Sequence, residues 1–234
     1  MANTPIDKSK QKIESMFDEI APTYDRLNHL FTLSIDTRWR REIIKNIDDN
    51  NYSSATILDL ASGTGDLTAE LMKLNAGRIC AVDISKNMLE IQRMKIRDSR
   101  LELIQADVKN LPFDNDTFDI VTIGFGVRNF EYLEESLREI RRVMKTSGRL
   151  IVLEMFRSGG VKTNMFNLYF GKVMPFIGNM ISGSNYAYSY LFKSVSNFLT
   201  VPEFINLCSS CGFETEYYKN NFFGVVNTVY LKAK

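Results

Sequence analysis

The chain has 234 residues, of which 44% are hydrophobic and 24% are charged, enough to bury the core of one large α/β domain. Its 29 basic and 28 acidic side chains leave a net charge of only +1, so we predict no nucleic-acid partner. Three cysteines argue against a disulfide framework, and the polar N-terminus lacks the apolar core of a signal peptide. We therefore expect a cytoplasmic protein.

The predicted elements divide the chain into four consecutive parts. Residues 1–54 form a polar helical segment, and residues 55–156 alternate short apolar runs with amphipathic stretches. Residues 157–198 interrupt that alternation with an aromatic-rich stretch, which we interpret as a helical lid insertion that lines an apolar pocket. Residues 199–234 resume it with one helix and two strands. We expect all four parts to belong to one domain, 1–234.

Seven short apolar runs have the length and composition of strands: ATILDL, RICAVD, LELIQ, FDIVTI, RLIVLE, FETEYYK and VVNTVYLK. Amphipathic periodicity predicts helices between them over residues 66–74, 86–97 and 133–145, and Gly148 is predicted to separate the last of these from RLIVLE. This alternation predicts a Rossmann-like α/β fold with a mostly parallel seven-stranded sheet and helices on both faces. In such sheets, ligands bind at the carboxyl ends of the strands.

The first predicted strand has a carboxylate at its end, Asp59, and leads into a glycine-rich loop, ASGTGD. Gly63 and Gly65, on either side of Thr64, let the backbone turn tightly and approach a ligand, and the following helix has free N–H groups. Thr68 stands where the dinucleotide fingerprint requires a third glycine, which argues against a nicotinamide dinucleotide. By itself, the loop indicates a nucleotide-like ligand.

Asp83 ends the second predicted strand, and Asp107 follows the third. Together with Asp59, they are spaced at equal 24-residue steps. Asp83 can accept the ribose hydroxyls of an adenosine, and Asp107 can meet the adenine amino edge. An acidic ring around the site repels phosphate and suits a sulfonium cation. We therefore predict that S-adenosylmethionine is bound by Asp59, Gly63, Thr64, Gly65, Asp83, Ile84, Asp107 and Val108.

The segment after the fourth strand, TIGFGVRNF, should face the methyl acceptor. It lacks the Asp/Asn-Pro-Pro-aromatic sequence that is typical of methylation of nucleobase amino groups, which favours a carbon or oxygen acceptor. Arg128 and Asn129 are its candidate catalytic residues.

Cys208 and Cys211 form a C-x-x-C sequence, but they fall on the apolar stripe of a helix that opens with a capping box at Thr200 and Glu203. Only one more cysteine and one histidine, His29, remain in the chain. We therefore predict buried core thiols and no metal site.

The chain resembles the quinone-ring C-methyltransferases of menaquinone and ubiquinone biosynthesis, the UbiE/MenG type. The resemblance covers nearly the whole chain, in FDEIAPTYDRLNHLF, ILDLASGTGDLT, AVDISKNML, LPFDNDTFDIVTIGFGVRNF and LREIRRVMKTSGRLIVLE. FGVRN and YDRLN are its most particular parts. It implies methyl transfer to a carbon of a polyprenylated hydroquinone, with Thr64, Asp83, Asp107 and Val108 at cofactor-binding positions. Overall likeness favours demethylmenaquinol; a benzoquinol, another small-molecule acceptor and a non-catalytic cofactor-binding regulator are the alternatives.

The chain departs from that family at Gly124, where serine is usual, and at Asp36, where histidine is common. We expect Arg128 to stabilise the phenolate form of the acceptor and Asn129 to orient it. The general base stays open among Asp36, Tyr24, His29 and water. A prenyl tail lying along the insertion would bring the protein into peripheral contact with the inner face of a membrane through apolar surface. A homodimer also stays open.

Overall fold

The fold is described from a computed structural model. It describes residues 7–32, 34–48, 54–158, 185–222 and 224–234. Most of the predicted lid, residues 159–184, lies outside the described residues.

The described residues form eight α-helices and seven strands. The helices are α1 (Lys10–Ile20), α2 (Tyr24–Phe31), α3 (Ile35–Asp48), α4 (Asp66–Leu71), α5 (Lys86–Lys95), α6 (Leu133–Val143), α7 (Asn185–Ser196) and α8 (Val201–Ser210). The strands are β1 (Thr56–Leu60), β2 (Arg78–Asp83), β3 (Leu101–Gln105), β4 (Phe118–Gly124), β5 (Met144–Met155), β6 (Phe213–Phe222) and β7 (Val226–Ala233). Short 3₁₀ turns occupy Ala21–Thr23 and Val127–Asn129.

The seven strands form one sheet in the order β3-β2-β1-β4-β5-β7-β6. Strands β1 to β5 pair in parallel; helices α4, α5 and α6 lie in the β1–β2, β2–β3 and β4–β5 connections, and turns link β3 to β4. Strand β7 is antiparallel to both of its neighbours, since only a short turn separates it from β6. The predicted mostly parallel seven-stranded sheet is confirmed.

Two apolar clusters cover the two faces of the sheet. Because successive side chains of a strand point to opposite faces, Ile57 of β1 packs in one cluster and Leu58 in the other. The Ile57 cluster contains Ile43 of α3, and the Leu58 cluster contains Leu137 of α6 and Phe204 of α8. Helices therefore lie on both faces, as predicted.

Two predicted boundaries are wrong at the start of β5. The α6 helix ends at Val143, and the strand begins at Met144, where it pairs with Phe118 of β4. Gly148 thus lies inside the strand and does not separate it from the helix. A β-carbon at Gly148 would come within 2.9 Å of the Lys145 carbonyl oxygen, so glycine permits this close backbone approach.

Helix α8 confirms the interpretation of the C-x-x-C sequence. Thr200 caps the helix in a reciprocal capping box with Glu203. Cys208 and Cys211 are free, buried thiols on the face packed against the sheet, and burial raises the pKa of both. In the part of the chain that the structure describes, no helix has the length and apolar character that a membrane crossing requires.

Candidate active site

A cavity lies at the carboxyl ends of β1 to β4, where the sheet predicts a ligand. Its wall contains six of the residues predicted from the sequence: Gly63, Asp83, Ile84, Asp107, Val108 and Asn129. The opposite side of the cavity comes from the N-terminal segment, through Lys8, Lys10, Ile13, Phe17 and Tyr24.

The glycine-rich loop adopts left-handed backbone at both of its glycines. Gly63 has φ of +56°, and the position of its absent β-carbon has no atom within 4 Å, so its backbone lies open to a ligand. Gly65 has φ of +89°, and a β-carbon there would come within 2.5 Å of Gln92 Cγ. The intervening Thr64 is buried and donates a hydrogen bond to Asp25 of α2. Thr64 and Gly65 lie behind the cavity wall.

The Asp59 carboxylate is fully buried and supports the loop from below. It accepts hydrogen bonds from the hydroxyls of Thr68 at 2.6 Å and Thr122 at 2.8 Å, which join β1 to α4 and β4. Burial raises the pKa of Asp59 to about 6. Thr68, the residue that replaces the third glycine of a dinucleotide loop, thus holds this carboxylate in place. Asp59 does not line the cavity, and its predicted contact with the cofactor stays a prediction.

Asp83 and Asp107 both reach the cavity. Asp83 accepts hydrogen bonds of 2.8 Å from the backbone N–H groups of Gly63 and Ser85, and burial raises its pKa to about 6. Asp107 accepts one of 3.0 Å from the N–H of Lys109. Apolar side chains, Ile84 among them, stand beside these carboxylates. Paired acceptors, an apolar slot and an open glycine backbone fit the adenosyl part of S-adenosylmethionine.

Arg128 and Asn129 follow β4 in the 3₁₀ turn beside this cavity. Arg128 is only 6% exposed; its Nη1 donates to the Phe125 carbonyl at 2.8 Å and to Glu154 at 2.6 Å. Burial alone would lower the pKa of Arg128, but the charge and hydrogen bond of Glu154, together with the charges of Tyr24 and Tyr190, outweigh it and raise the pKa. Asn129 lines the cavity, and its Oδ1 accepts a hydrogen bond of 3.0 Å from the Tyr190 hydroxyl. Arg128 lies directly behind the wall that Asn129 forms.

The three candidate bases lie in different places. Tyr24 lines the cavity, and burial raises its pKa. His29 and Asp36 lie outside the wall, with Nδ1 of His29 3.1 Å from Oδ2 of Asp36 and Nε2 3.5 Å from Oδ2 of Asp66. Burial alone would raise the pKa of Asp36, but hydrogen bonds from Thr32, Arg40 and His29 outweigh it and lower the pKa.

The donor atoms of His29, Asp36 and Asp66 lie within 4.8 Å of one another, close enough to share a metal ion. The guanidinium of Arg40 already pairs with both carboxylates. The positive charge of Arg40 therefore neutralises this cluster, which joins α2, α3 and α4. The expected absence of a metal stays a prediction.

Sequence reasoning missed the contribution of helix α1 to the cavity. Asp18 of α1 accepts hydrogen bonds from the Ser85 hydroxyl at 2.5 Å and from the Asn87 N–H at 3.2 Å, so it docks α1 on the start of α5. Ile13 and Met16 are the buried residues of that helix. In the sequence, the spacing of three residues between Ile13 and Met16 predicts that this face of α1 is packed. Glu154, fully buried beside Arg128, has no comparable signal.

Comparisons with known proteins agree with this geometry. Residues 6–232 match the model of the ubiE/COQ5 methyltransferase family. A demethylmenaquinone methyltransferase of Chlorobaculum tepidum is 38% identical, over 92% of this chain and 90% of its own. A ubiquinone/menaquinone biosynthesis C-methyltransferase UbiE of Citrifermentans bemidjiense is 36% identical, over 98% of this chain and 99% of its own.

Solved structures show the same fold at low sequence identity. A SAM-dependent methyltransferase of Thermotoga maritima superposes with a TM-score of 0.66 at 17% identity, over 94% of this chain and 99% of its own. The [4+2]-cyclase SpnF has a TM-score of 0.70 at 14% identity, over 100% of this chain and 99% of its own. The fold is that of class I S-adenosylmethionine-dependent methyltransferases, and S-adenosylmethionine is the cofactor. The chain is an enzyme that belongs to the ubiE/COQ5 methyltransferase family.

Proposed function

We propose that the enzyme methylates a ring carbon of demethylmenaquinol, a polyprenylated hydroquinone. The observation that carries the proposal is that Asn129, with Arg128 behind it, shares one cavity with Gly63, Asp83 and Asp107. An acceptor beside Asn129 would therefore lie next to the methyl donor. The names of the relatives support a quinone acceptor, and demethylmenaquinone recurs among them. A benzoquinol is the second candidate, supported by the relatives named UbiE.

The cofactor-binding roles follow the positions of the side chains. The carboxylate of Asp83 would accept the ribose hydroxyls, while Asp107 and Val108 would meet the adenine with Ile84 packed on its ring. The open backbone of Gly63 would approach the cofactor closely, and Thr64 and Gly65 would hold the shape of the loop. When bound, S-adenosylmethionine supplies an electrophilic methyl group.

The residues after β4 would prepare the acceptor. A phenol has a pKa of about 10, so its more nucleophilic phenolate form needs stabilisation at neutral pH. Arg128 keeps its charge at any physiological pH and can stabilise the phenolate by a charge-assisted hydrogen bond, directly or through one water. Asn129, held through its Oδ1 by Tyr190, would turn its amide nitrogen toward an acceptor oxygen.

The removal of protons would fall to solvent water. His29 and Asp36 are engaged in the ion cluster with Arg40, away from the cavity wall. Tyr24 lines the cavity, but its raised pKa makes its hydroxyl a donor to the acceptor oxygen and a poor base.

The polyprenyl tail of the substrate defines where the enzyme would work. We expect a cytoplasmic protein that touches the inner face of the membrane through apolar surface, since a net charge of +1 offers little attraction to anionic lipid. The aromatic-rich insertion, residues 157–198, is the proposed contact. The oligomeric state, monomer or homodimer, follows from sedimentation of the purified enzyme.

Transfer of a labelled methyl group tests the proposal, with demethylmenaquinol and a demethylated benzoquinol compared as acceptors. We expect faster turnover with demethylmenaquinol. Arg128→Ala should lower kcat by about a hundredfold or more while S-adenosylmethionine affinity changes little, because the guanidinium stabilises charge on the acceptor. Equal losses of affinity and turnover, or labelling of neither quinol, would contradict the proposal.

A further inference from the structure

The Glu154 carboxylate at the end of β5 is fully buried and contacts Arg128 at two points. Its Oε2 accepts a hydrogen bond from the backbone N–H of Arg128 at 3.2 Å. Its Oε1 accepts one from Nη1 of Arg128 and one from the N–H of Met155, each at 2.6 Å. The carboxylate therefore holds both the backbone and one corner of the guanidinium.

The other edge of the same guanidinium makes no hydrogen bond with a described residue. Nη1 is occupied by Glu154 and the Phe125 carbonyl, whereas the buried Nε has no hydrogen-bond partner among the described residues. Nη2 likewise donates to no described residue. A buried N–H without an acceptor is destabilising, so a native protein seldom leaves one without a function. Nε and Nη2 together form the planar pair of donors that binds an oxyanion.

We propose that Glu154 is a positioning residue for methyl transfer: it holds the Nη1 corner of Arg128 so that the Nε–Nη2 edge receives the ionised hydroxyl of the acceptor. This inference rests on the proposed function, because it needs Arg128 to stabilise an ionised hydroxyl of the acceptor. It requires a phenolate, and both the naphthoquinol and the benzoquinol supply one.

Among the described residues, three ionisable groups besides Glu154 act on the charge of the guanidinium or are acted on by it. They are Lys8, which precedes α1, Tyr24 of α2 and Tyr190 of α7. Burial, with the charge of Arg128, lowers the pKa of Lys8. All three side chains are retained in the Glu154 variants. The charge of Glu154 also raises the pKa of Lys8, a contribution that Glu154→Asp keeps and Glu154→Gln removes.

Two conservative variants separate position from charge. Glu154→Asp keeps the negative charge but is one methylene shorter, so it can no longer reach both contacts on Arg128. Glu154→Gln keeps the length and the acceptor for Nη1 but removes the charge that offsets the guanidinium. Its amide nitrogen cannot accept the hydrogen bond from the Arg128 backbone N–H, so this contact is lost. The pKa of bound 1-naphthol, followed by its phenolate absorbance, reports the result. S-adenosylhomocysteine is present, so no methyl group is transferred.

The proposal expects opposite shifts from the two variants. In wild type, the pKa of bound 1-naphthol should lie below its value in solution. Glu154→Asp should return it toward the solution value and lower kcat on quinol about tenfold or more, since a misplacement of about 1 Å can cost a hundredfold. Glu154→Gln should lower it further, by about one unit, because the positive charge is no longer neutralised. The affinity for S-adenosylhomocysteine should change less than about twofold in both variants, because neither substitution removes a contact with it.

Shifts in the same direction, or no shift in either variant, would overturn the proposal and leave Glu154 a purely structural residue. An unshifted 1-naphthol pKa in wild type would overturn it without any variant, so a variant that fails to fold does not rescue it. Failure of the wild-type enzyme to methylate either quinol, with the naphthol shifts intact, would remove the proposed substrate and leave the role of Glu154 standing.

Discussion

The hydroxyl of Thr64 donates a hydrogen bond to the carboxylate of Asp25, which ties helix α2 to the glycine-rich loop. Asp25 also pairs with Lys95 of α5, and the same ammonium group lies 3.0 Å from Asp66 at the start of α4. The N-terminal helices therefore hold the loop from the side opposite the sheet. Substitutions in them should change cofactor binding although they lie far from the loop in the sequence.

Asp25→Ala should weaken S-adenosylmethionine binding about tenfold, as measured by titration calorimetry, because one charge-assisted hydrogen bond contributes about 1.5 kcal/mol. Glu19→Ala is the matched control, since it removes the same charge from an exposed position of α1. Thr64→Ser keeps the donor and should bind nearly as wild type. An Asp25→Ala enzyme with the affinity of the Glu19→Ala control would show that this contact does not support the loop.

The ends of β1 and β4 approach so closely that only one β-carbon fits between them. A β-carbon at Gly126 would lie 2.4 Å from Cβ of Ala61, which itself has a left-handed backbone with φ of +50°. Gly126→Ala should therefore lower the free energy of unfolding by about 1–3 kcal/mol and weaken cofactor binding. Adding Ala61→Gly removes the clash and should restore both, because glycine also tolerates that backbone. If the double variant is no better than Gly126→Ala alone, the clash is not the cause.

The buried Asp59 carboxylate predicts a pH dependence of stability. Its pKa is about 6 in the folded protein against 3.8 for an ordinary aspartate, so the folded state binds the proton more tightly. Its stabilising contribution is therefore fully present below pH 3.8 and is lost as the pH rises through about 6. Asp59→Asn removes this dependence. The Tm of the variant minus that of wild type should rise between about pH 4 and 7, by the equivalent of at most about 3 kcal/mol.

Asp83 has a similarly raised pKa and is present in both proteins, so the comparison isolates Asp59. A Tm difference that stays constant over this range would mean that Asp59 titrates in the folded protein as it does in the unfolded chain. A difference that falls with pH would mean that its hydrogen bonds to Thr68 and Thr122 outweigh burial.

Membrane contact should depend on apolar surface more than on charge. We expect the enzyme to co-sediment with vesicles of neutral and of anionic lipid alike, and to stay bound when the salt concentration is raised, because its net charge is +1. A variant with two aromatic residues of the insertion, residues 157–198, changed to serine should bind less. Binding that requires anionic lipid and is abolished by moderate salt would contradict this prediction.

The sequence by itself determined the sheet, its seven strands and the position of the loop. Unbroken apolar runs such as LIVL in RLIVLE indicate burial on both faces, and the spacing of Asp59, Asp83 and Asp107 follows from the repeated strand–helix unit. The amphipathic stripe of α8 likewise identified Cys208 and Cys211 as core residues. These are local patterns, and local physics is enough to interpret them.

Only the tertiary structure decided which polar groups face the cavity. Asp59 lies one residue before the end of β1 and Asp83 at the end of β2. Thr68 and Thr122 enclose the first, whereas the second reaches the wall beside Gly63. Helix α1, Glu154 and Tyr190 join the site from positions distant in the chain. Such contacts depend on how crossovers and insertions pack against the sheet. The hydrophobic periodicity of the sequence predicts each helix and strand but not how they pack together.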